Sequence, residues 1–143
     1  MQKLSTEIEI QAAAEKVWDI LMDFQSYPEW NPFIKKIQGT ASLSERLIVQ
    51  LQLPGKKPMV FKPRVKVLEP AQEFRWLGHF VLPGIFDGEH IFQIEPAEQG
   101  ISRFIQQEEF RGILVPLFMR SIRTSTLAGF LAMNEALKQR AET

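Results

Sequence analysis

SRFIQQEEFRGILVPLFMRSIRTSTLAGFLAMNEALKQR, residues 102–140, changes its hydrophobic period partway along, and that change decides the fold. As far as Phe110 the pattern alternates. Phe104, Gln106, Glu108 and Phe110 share one phase, and Arg103, Gln107 and Glu109 take the other. A period of two marks a strand with one buried face. From Pro116 the period becomes helical, and proline is tolerated in a first helical turn. No other proline intervenes before Arg140. About 25 helical residues would span roughly 38 Å, with Gly129 the one weak point inside. Apolar side chains fall on two stripes: Phe118, Met119, Ile122, Phe130, Met133 and Leu137 on one, Leu117, Leu127 and Leu131 on the other. A helix apolar on more than one stripe is expected to be enclosed.

Working back from this segment, the chain reads as successive strands separated by turn residues. His90, Phe92 and Ile94 share a phase opposite Glu89, Gln93 and Glu95, so His90 is expected to face inward. Phe74, Trp76, Gly78 and Phe80 share another inward phase, which puts His79 outside it. Phe61, Val65 and Val67 alternate with Lys62, Arg64 and Lys66, and Leu47, Val49, Leu51 and Leu53 form an earlier apolar set. Turns fall at Pro54–Pro58, Glu69–Ala71, Leu82–Gly84 and Pro96–Gly100. Near the start, Thr6–Ile10 alternates as a strand, and Ala12–Met22 reads as a helix with Ala14, Val17, Trp18 and Leu21 at helical spacing. Tyr27 and Asn31 each precede a proline and are expected to leave the helical region, bracketing a short helical turn. Asn31 is expected to bond backbone in that turn. The order is strand, helices, a run of hairpin-linked strands, then one long helix, which is α+β architecture.

Composition narrows the function. At 143 residues the chain is expected to form one domain. Hydrophobic residues make up 45% and charged residues 24%, as in an ordinary globular core. The formal net charge of +0 gives no global field to recruit nucleic acid or an anionic membrane, and the short clusters Lys35-Lys36 and Lys56-Lys57 are expected to be solvated loop or strand edges. With no cysteine and only two histidines, His79 and His90, a metal site is not expected. No P-loop, G-x-G-x-x-G or G-x-S-x-G segment is present, so no nucleotide cofactor is expected. No window approaches the ~18 apolar residues of a membrane span. Residues Met1–Glu7 lack the apolar stretch of a secretory signal, so the expected location is the cytoplasm. Eleven Phe against one Tyr puts aromatic area into surface that cannot hydrogen-bond, which fits a greasy interior.

This order of elements resembles the START-like superfamily, also called SRPBCC, and within it the polyketide cyclase/dehydrase-type group. The resemblance rests on Val17-Trp18, Tyr27–Phe33, Gly88–Phe92, Phe104–Gly112 and Thr126–Asn134, and it spans residues 1–143 as a single START-like domain. It implies a helix-grip fold, in which a curved antiparallel sheet of about seven strands wraps the C-terminal helix around a cavity. Relatives bind or carry lipids, sterols, polyketides, quinones or plant hormones, some catalyse cyclisation or dehydration, and others act as partner-binding modules. No catalytic residue is shared across that diversity.

The candidate site follows from strand phase. A hairpin turning at Pro96–Gly100 sets His90 roughly opposite Gln106 and Glu108 on the inner face. Three readings attach to this trio: an internally satisfied histidine, a polar anchor for a ligand hydroxyl or carbonyl, or a His90/Glu108 acid–base pair. Trp30, Phe33, Trp76, Phe80, Phe86, Phe92 and Phe110 are the aromatic candidates for the wall, each also able to serve as plain core. Arg120 and Arg123, with Ser121 and Thr124–Thr126, are expected on the solvent side of the last helix. Binding or carriage of a small hydrophobic molecule is the favoured function. A cyclase- or dehydratase-type enzyme and a partner-binding module with a vestigial cavity are the alternatives. Nothing in the pattern sets an oligomeric state, although the Leu82–Phe86 loop or an exposed sheet edge offers a route to self-association.

Overall fold

The computed structural model describes residues 1–80 and 82–143. In chain order its elements are β1 (Gln2–Ile10), α1 (Ala14–Met22), a 3-10 turn (Phe24–Ser26), α2 (Tyr27–Trp30), β2 (Ile34–Gln38), β3 (Ile48–Leu51), β4 (Met59–Phe61), β5 (Arg64–Glu69), β6 (Glu73–His79), β7 (Asp87–Pro96), β8 (Ser102–Arg111) and α3 (Val115–Ala141).

Alternating phase builds the sheet as expected. Phe74, Trp76, His90, Phe92, Ile94, Phe104, Gln106 and Phe110 are all buried on its concave face. All pairings are antiparallel, in the orders β1-β8-β7-β6-β5 and β2-β3-β4. The two groups are one curved layer. Val49 faces Phe61, and the same register carries on to a bridge between Arg46 and Arg64. Between them Leu47 N–H donates to the Pro63 carbonyl, and Val65 N–H donates to that of Glu45. Strands β4 and β5 are thus one strand bent at Lys62-Pro63, where proline has no N–H for the ladder. Counting them so gives the seven-strand helix-grip sheet, and irregularities near Val65–Val67 and Ile34–Lys36 add curvature.

Two local expectations fail for physical reasons. Tyr27 stays helical (φ −53°, ψ −41°) although Pro28 follows it. Its ring is fully buried, and its hydroxyl donates to the Leu21 carbonyl at 2.7 Å, which ties the end of α1 to α2. Burial, with Asp23 nearby, pushes the phenol far above its usual range and keeps it neutral. The steric preference before proline is a bias that this packing outweighs. Asn31 is extended as expected, and its Oδ1 accepts from the Phe33 and Ile34 N–H groups at 2.9 and 2.8 Å.

The second failure concerns α3. Its Met119/Phe130/Met133/Leu137 stripe is buried, but Leu117 and Leu131 on the other stripe are 68% and 57% exposed. The sheet grips one face of the helix, so a second apolar stripe marks surface here rather than enclosure.

Two glycines set how closely α3 approaches its surroundings. Gly112, at φ +136°, lies where a Cβ would run into the Ile85 backbone, so the chain leaving β8 can cross the 82–86 loop. Gly129 lies flat against the Phe33 ring, and a Cβ there would come within 2.5 Å of Phe33 Cδ1. Alanine gains about 1 kcal/mol of helix propensity over glycine, whereas overpacking a filled site costs about 1–3 kcal/mol. Phe33 is buried and cannot swing clear cheaply, so we expect Gly129→Ala to lower stability by about 1–2 kcal/mol in urea unfolding. A stabilised variant would mean that the helix and Phe33 are not held in contact.

Candidate functional site

Between α3 and the β3–β4 and β6–β7 ends of the sheet lies a cavity of about 280 Å³. Its wall is Phe33, Leu51, Leu53, Met59, Phe80, Phe86, Phe110, Phe118 and Ile122, with Glu108 and Thr126 as its polar members. At roughly 30 Å³ per water, this is room for about nine waters, or for one or two fused rings. Gly78 and Gly88 face each other across β6 and β7 on the concave side; Phe61 fills the place of a side chain at Gly78, whereas at Gly88 that place borders the wall residues Phe80 and Glu108. Neither needs a left-handed backbone, so what glycine supplies there is the missing side chain.

The rest of the interior is filled. Phe74, Phe92 and Phe104 stack at 5.8 and 6.1 Å, with Trp76 edge-on to Phe92. Trp76 and Phe92 are therefore packed core and do not reach the cavity wall. Trp30 lies elsewhere, in a separate surface groove with Lys16, Asp19 and Arg140, and its buried indole N–H has no protein partner. Of the sequence candidates the structure brings Phe33, Phe80, Phe86, Glu108 and Phe110 to the cavity. It adds Leu51, Leu53, Met59, Phe118 and Ile122, which the sequence reading did not select, and Thr126, which was expected on the solvent side of α3 but is buried at the cavity wall, one helical turn beyond Ile122. A signal for them was present. Leu51 and Leu53 continue the Leu47/Val49 phase, and Phe118, Ile122 and Thr126 are four residues apart on one face of α3.

His90 is 2% exposed and sits directly behind the cavity floor, opposite Glu108 in the β7–β8 register. Rings of Phe33, Trp76, Phe92 and Phe130 surround it at 4.4–6.2 Å. Its Nδ1 meets Glu108 Oε1 at 2.9 Å and its Nε2 meets Gln106 Oε1 at 2.9 Å. The direction of each bond follows from the far end of the chain. The Thr6 hydroxyl donates to the backbone carbonyl of Gln106, so its oxygen accepts from Asn134 Nδ2. Asn134 Oδ1 then accepts from Gln106 Nε2, and Gln106 Oε1 must accept from His90 Nε2–H. One more proton sits between Nδ1 and Glu108 Oε1. The second carboxyl oxygen is left as a hydrogen-bond acceptor at the cavity floor, near Gly88 and Phe80. His79 lies outside the cavity, where its Nδ1 meets Asp87 Oδ1 at 2.6 Å. Among the described residues no three His, Asp or Glu side chains converge as metal ligands would.

A curved antiparallel sheet gripping a C-terminal helix over an apolar cavity defines a START-like, helix-grip protein. The chain belongs to the family described as polyketide cyclase / dehydrase and lipid transport, whose profile matches residues 1–142. Solved structures agree on the fold. A START superfamily protein from Mycobacterium smegmatis is 23% identical, with 98% of this chain and 97% of that one covered and a TM-score of 0.73. The Zhui aromatase/cyclase from Streptomyces sp. R1128 is 13% identical over 99% and 93% of the two chains, with a TM-score of 0.80. A norcoclaurine synthase point mutant from Thalictrum flavum is 15% identical over 98% and 93%, with a TM-score of 0.74. No curated protein matches by sequence.

Proposed function

We propose that the protein binds a small hydrophobic molecule of one or two rings, carrying a hydroxyl or amine that donates to Glu108. The observation that carries this reading is an apolar cavity with one carboxylate at its floor, held in place by a fully buried histidine. Apolar walls supply affinity, and one or two fixed polar groups supply orientation. Because Glu108 Oε1 is engaged by His90, its other oxygen is offered as an acceptor. The size of the cavity favours compact aromatics over long-chain lipids.

A second reading is supported by the same pair. A carboxyl group that shares a proton with a buried histidine can act as a general acid or base toward a bound carbonyl or hydroxyl. Among the fold relatives are an aromatase/cyclase and a norcoclaurine synthase. Binding is preferred because His90 is closed off behind the wall, so only Glu108 can meet a ligand directly.

Titration with 2-naphthol tests both size and polarity. A one-to-one complex is expected, with a dissociation constant on the order of 10 μM by calorimetry. Glu108→Leu leaves no hydrogen-bond acceptor at the cavity floor. Losing one hydrogen bond of about 1.5 kcal/mol should weaken 2-naphthol roughly tenfold. Unchanged affinity in that variant would remove Glu108 as the anchor. Failure of 2-naphthol to bind, together with an empty organic extract of the purified protein, would remove the binding reading. Turnover of a cyclisable ligand that vanishes in Glu108→Gln would favour the enzymatic one.

A further inference from the structure

Three segments converge on the mouth of the cavity. Leu53 and Met59 bring the β3–β4 hairpin, Phe86 the β6–β7 loop, and Phe118 the start of α3. The Phe86 and Phe118 rings touch at 5.8 Å, and Ile113 N–H donates to the Gly84 carbonyl, so the last two form one continuous rim. That rim is apolar and uncovered. Leu82, Ile113 and Leu117 are 63–75% exposed, and Met59 and Phe118 are also exposed.

The rim is also one-signed. Residues 53–63, 82–86 and 111–123 contain Lys56, Lys57, Lys62, Arg111, Arg120 and Arg123 and no acidic residue, so all 17 acids lie elsewhere. The formal net charge of +0 therefore hides a basic mouth. Among the described residues only Arg111 of these six has an acidic partner, a distant one, Glu109 at 3.7 Å. Asp87, just beyond the loop, is engaged by His79 and the Gly84 N–H.

We propose that this mouth docks on an anionic lipid bilayer. Leu82, Ile113 and Leu117 would enter the headgroup–acyl boundary, with Lys56, Lys57, Arg120 and Arg123 against lipid phosphates. Aliphatic side chains interspersed with cations are the composition of an interfacial anchor. Long basic side chains can keep their charge at the headgroups while their stems lie along apolar surface. Arginine is enriched in protein–protein contacts and lysine is depleted there, so Lys56 and Lys57 are the residues that favour lipid over protein. No helix among the described residues is long and apolar enough to cross a membrane, so this is peripheral docking. It goes beyond ligand binding and stands or falls separately from it.

Flotation of the full chain with vesicles tests it. On phosphatidylcholine containing about 30% phosphatidylglycerol, partitioning should exceed that on phosphatidylcholine alone by at least about tenfold. It should collapse in about 0.5 M salt. Each basic residue near the surface contributes roughly fivefold, so Lys56→Glu with Lys57→Glu should lower partitioning at least about 25-fold. Ile113→Asp with Leu117→Asp should lower it by about tenfold or more at low salt. These side chains are exposed, and an unchanged urea midpoint would show each variant folded. Equal partitioning on the two vesicle types, or variants that float like wild type, would overturn the proposal. Retention on immobilised polyglutamate without flotation would also overturn it, and would assign the surface to an acidic protein.

Discussion

Replacing Gln106 with leucine is expected to remove about 2–5 kcal/mol of folding stability in urea unfolding. The two side chains have similar volume, so the change opens no hole and isolates the polar effect. Gln106 is 0% exposed, and its side chain makes the central link between His90 and Asn134. Leucine would strand the His90 Nε2–H and Asn134 Oδ1 in an aromatic interior, where both residues are at most 2% exposed. Each stranded buried group costs about 1–3 kcal/mol. Gln106→Glu should fall between the two, since a carboxylate can accept from His90 but cannot donate to Asn134. Combined with Asn134→Ala, the loss should be well short of additive, because both changes cut the same chain. A loss below about 1 kcal/mol in Gln106→Leu, with His90 ring ¹⁵N shifts unmoved, would mean that the network is not formed.

That network shows what strand phase can and cannot reveal. The inward phase of His90, Gln106 and Glu108 followed from their charged neighbours, and the Pro96–Gly100 turn fixed the register that joined them. Alternation reports which face a residue occupies, and it did so correctly for Trp76 and Phe92. It does not report position along the curved sheet, and both fall at the filled end. Likewise, Asn134 and Thr6 lie far from Gln106 in sequence, on α3 and β1. No periodicity links a polar residue on a helix to one on the first strand. The gripping helix and the strand order were legible because each segment carries its own period. Which stripe of α3 stays in water depends on how far the sheet wraps, a tertiary quantity, and Leu117 and Leu131 show the cost of reading it from the helix alone.

The two ends of the interior also divide the labour of fold and function. At one end the stacked rings of Phe74, Phe92 and Phe104 give the sheet its apolar burial. At the other, Gly88 withholds a side chain from β7 beside Phe80 and Glu108, although glycine weakens a strand by roughly 0.5–1 kcal/mol relative to alanine. The chain thus forgoes local stability where the cavity lies and recovers it where the core is solid.

Filling that space from Gly88 therefore gives the sharpest separation of binding from folding. A Cβ at Gly88 would stand 3.3 Å from Phe80 Cε2 and 3.4 Å from Glu108 Oε2, close but tolerable, and the backbone there accepts any residue. The outer carbons of Gly88→Leu would then occupy the floor of the cavity and cover the free oxygen of Glu108. We expect affinity for 2-naphthol to fall at least about a hundredfold, or ~2.7 kcal/mol. Stability in urea should shift by no more than about 1 kcal/mol, since gained apolar contact and strand propensity offset mild crowding. Gly88→Ala should do less on both counts, as only a single methyl enters. Binding that survives in Gly88→Leu would place the ligand outside this cavity. A stability loss of about 3 kcal/mol or more would mean that the space is taken up by the fold itself and is not free for a guest.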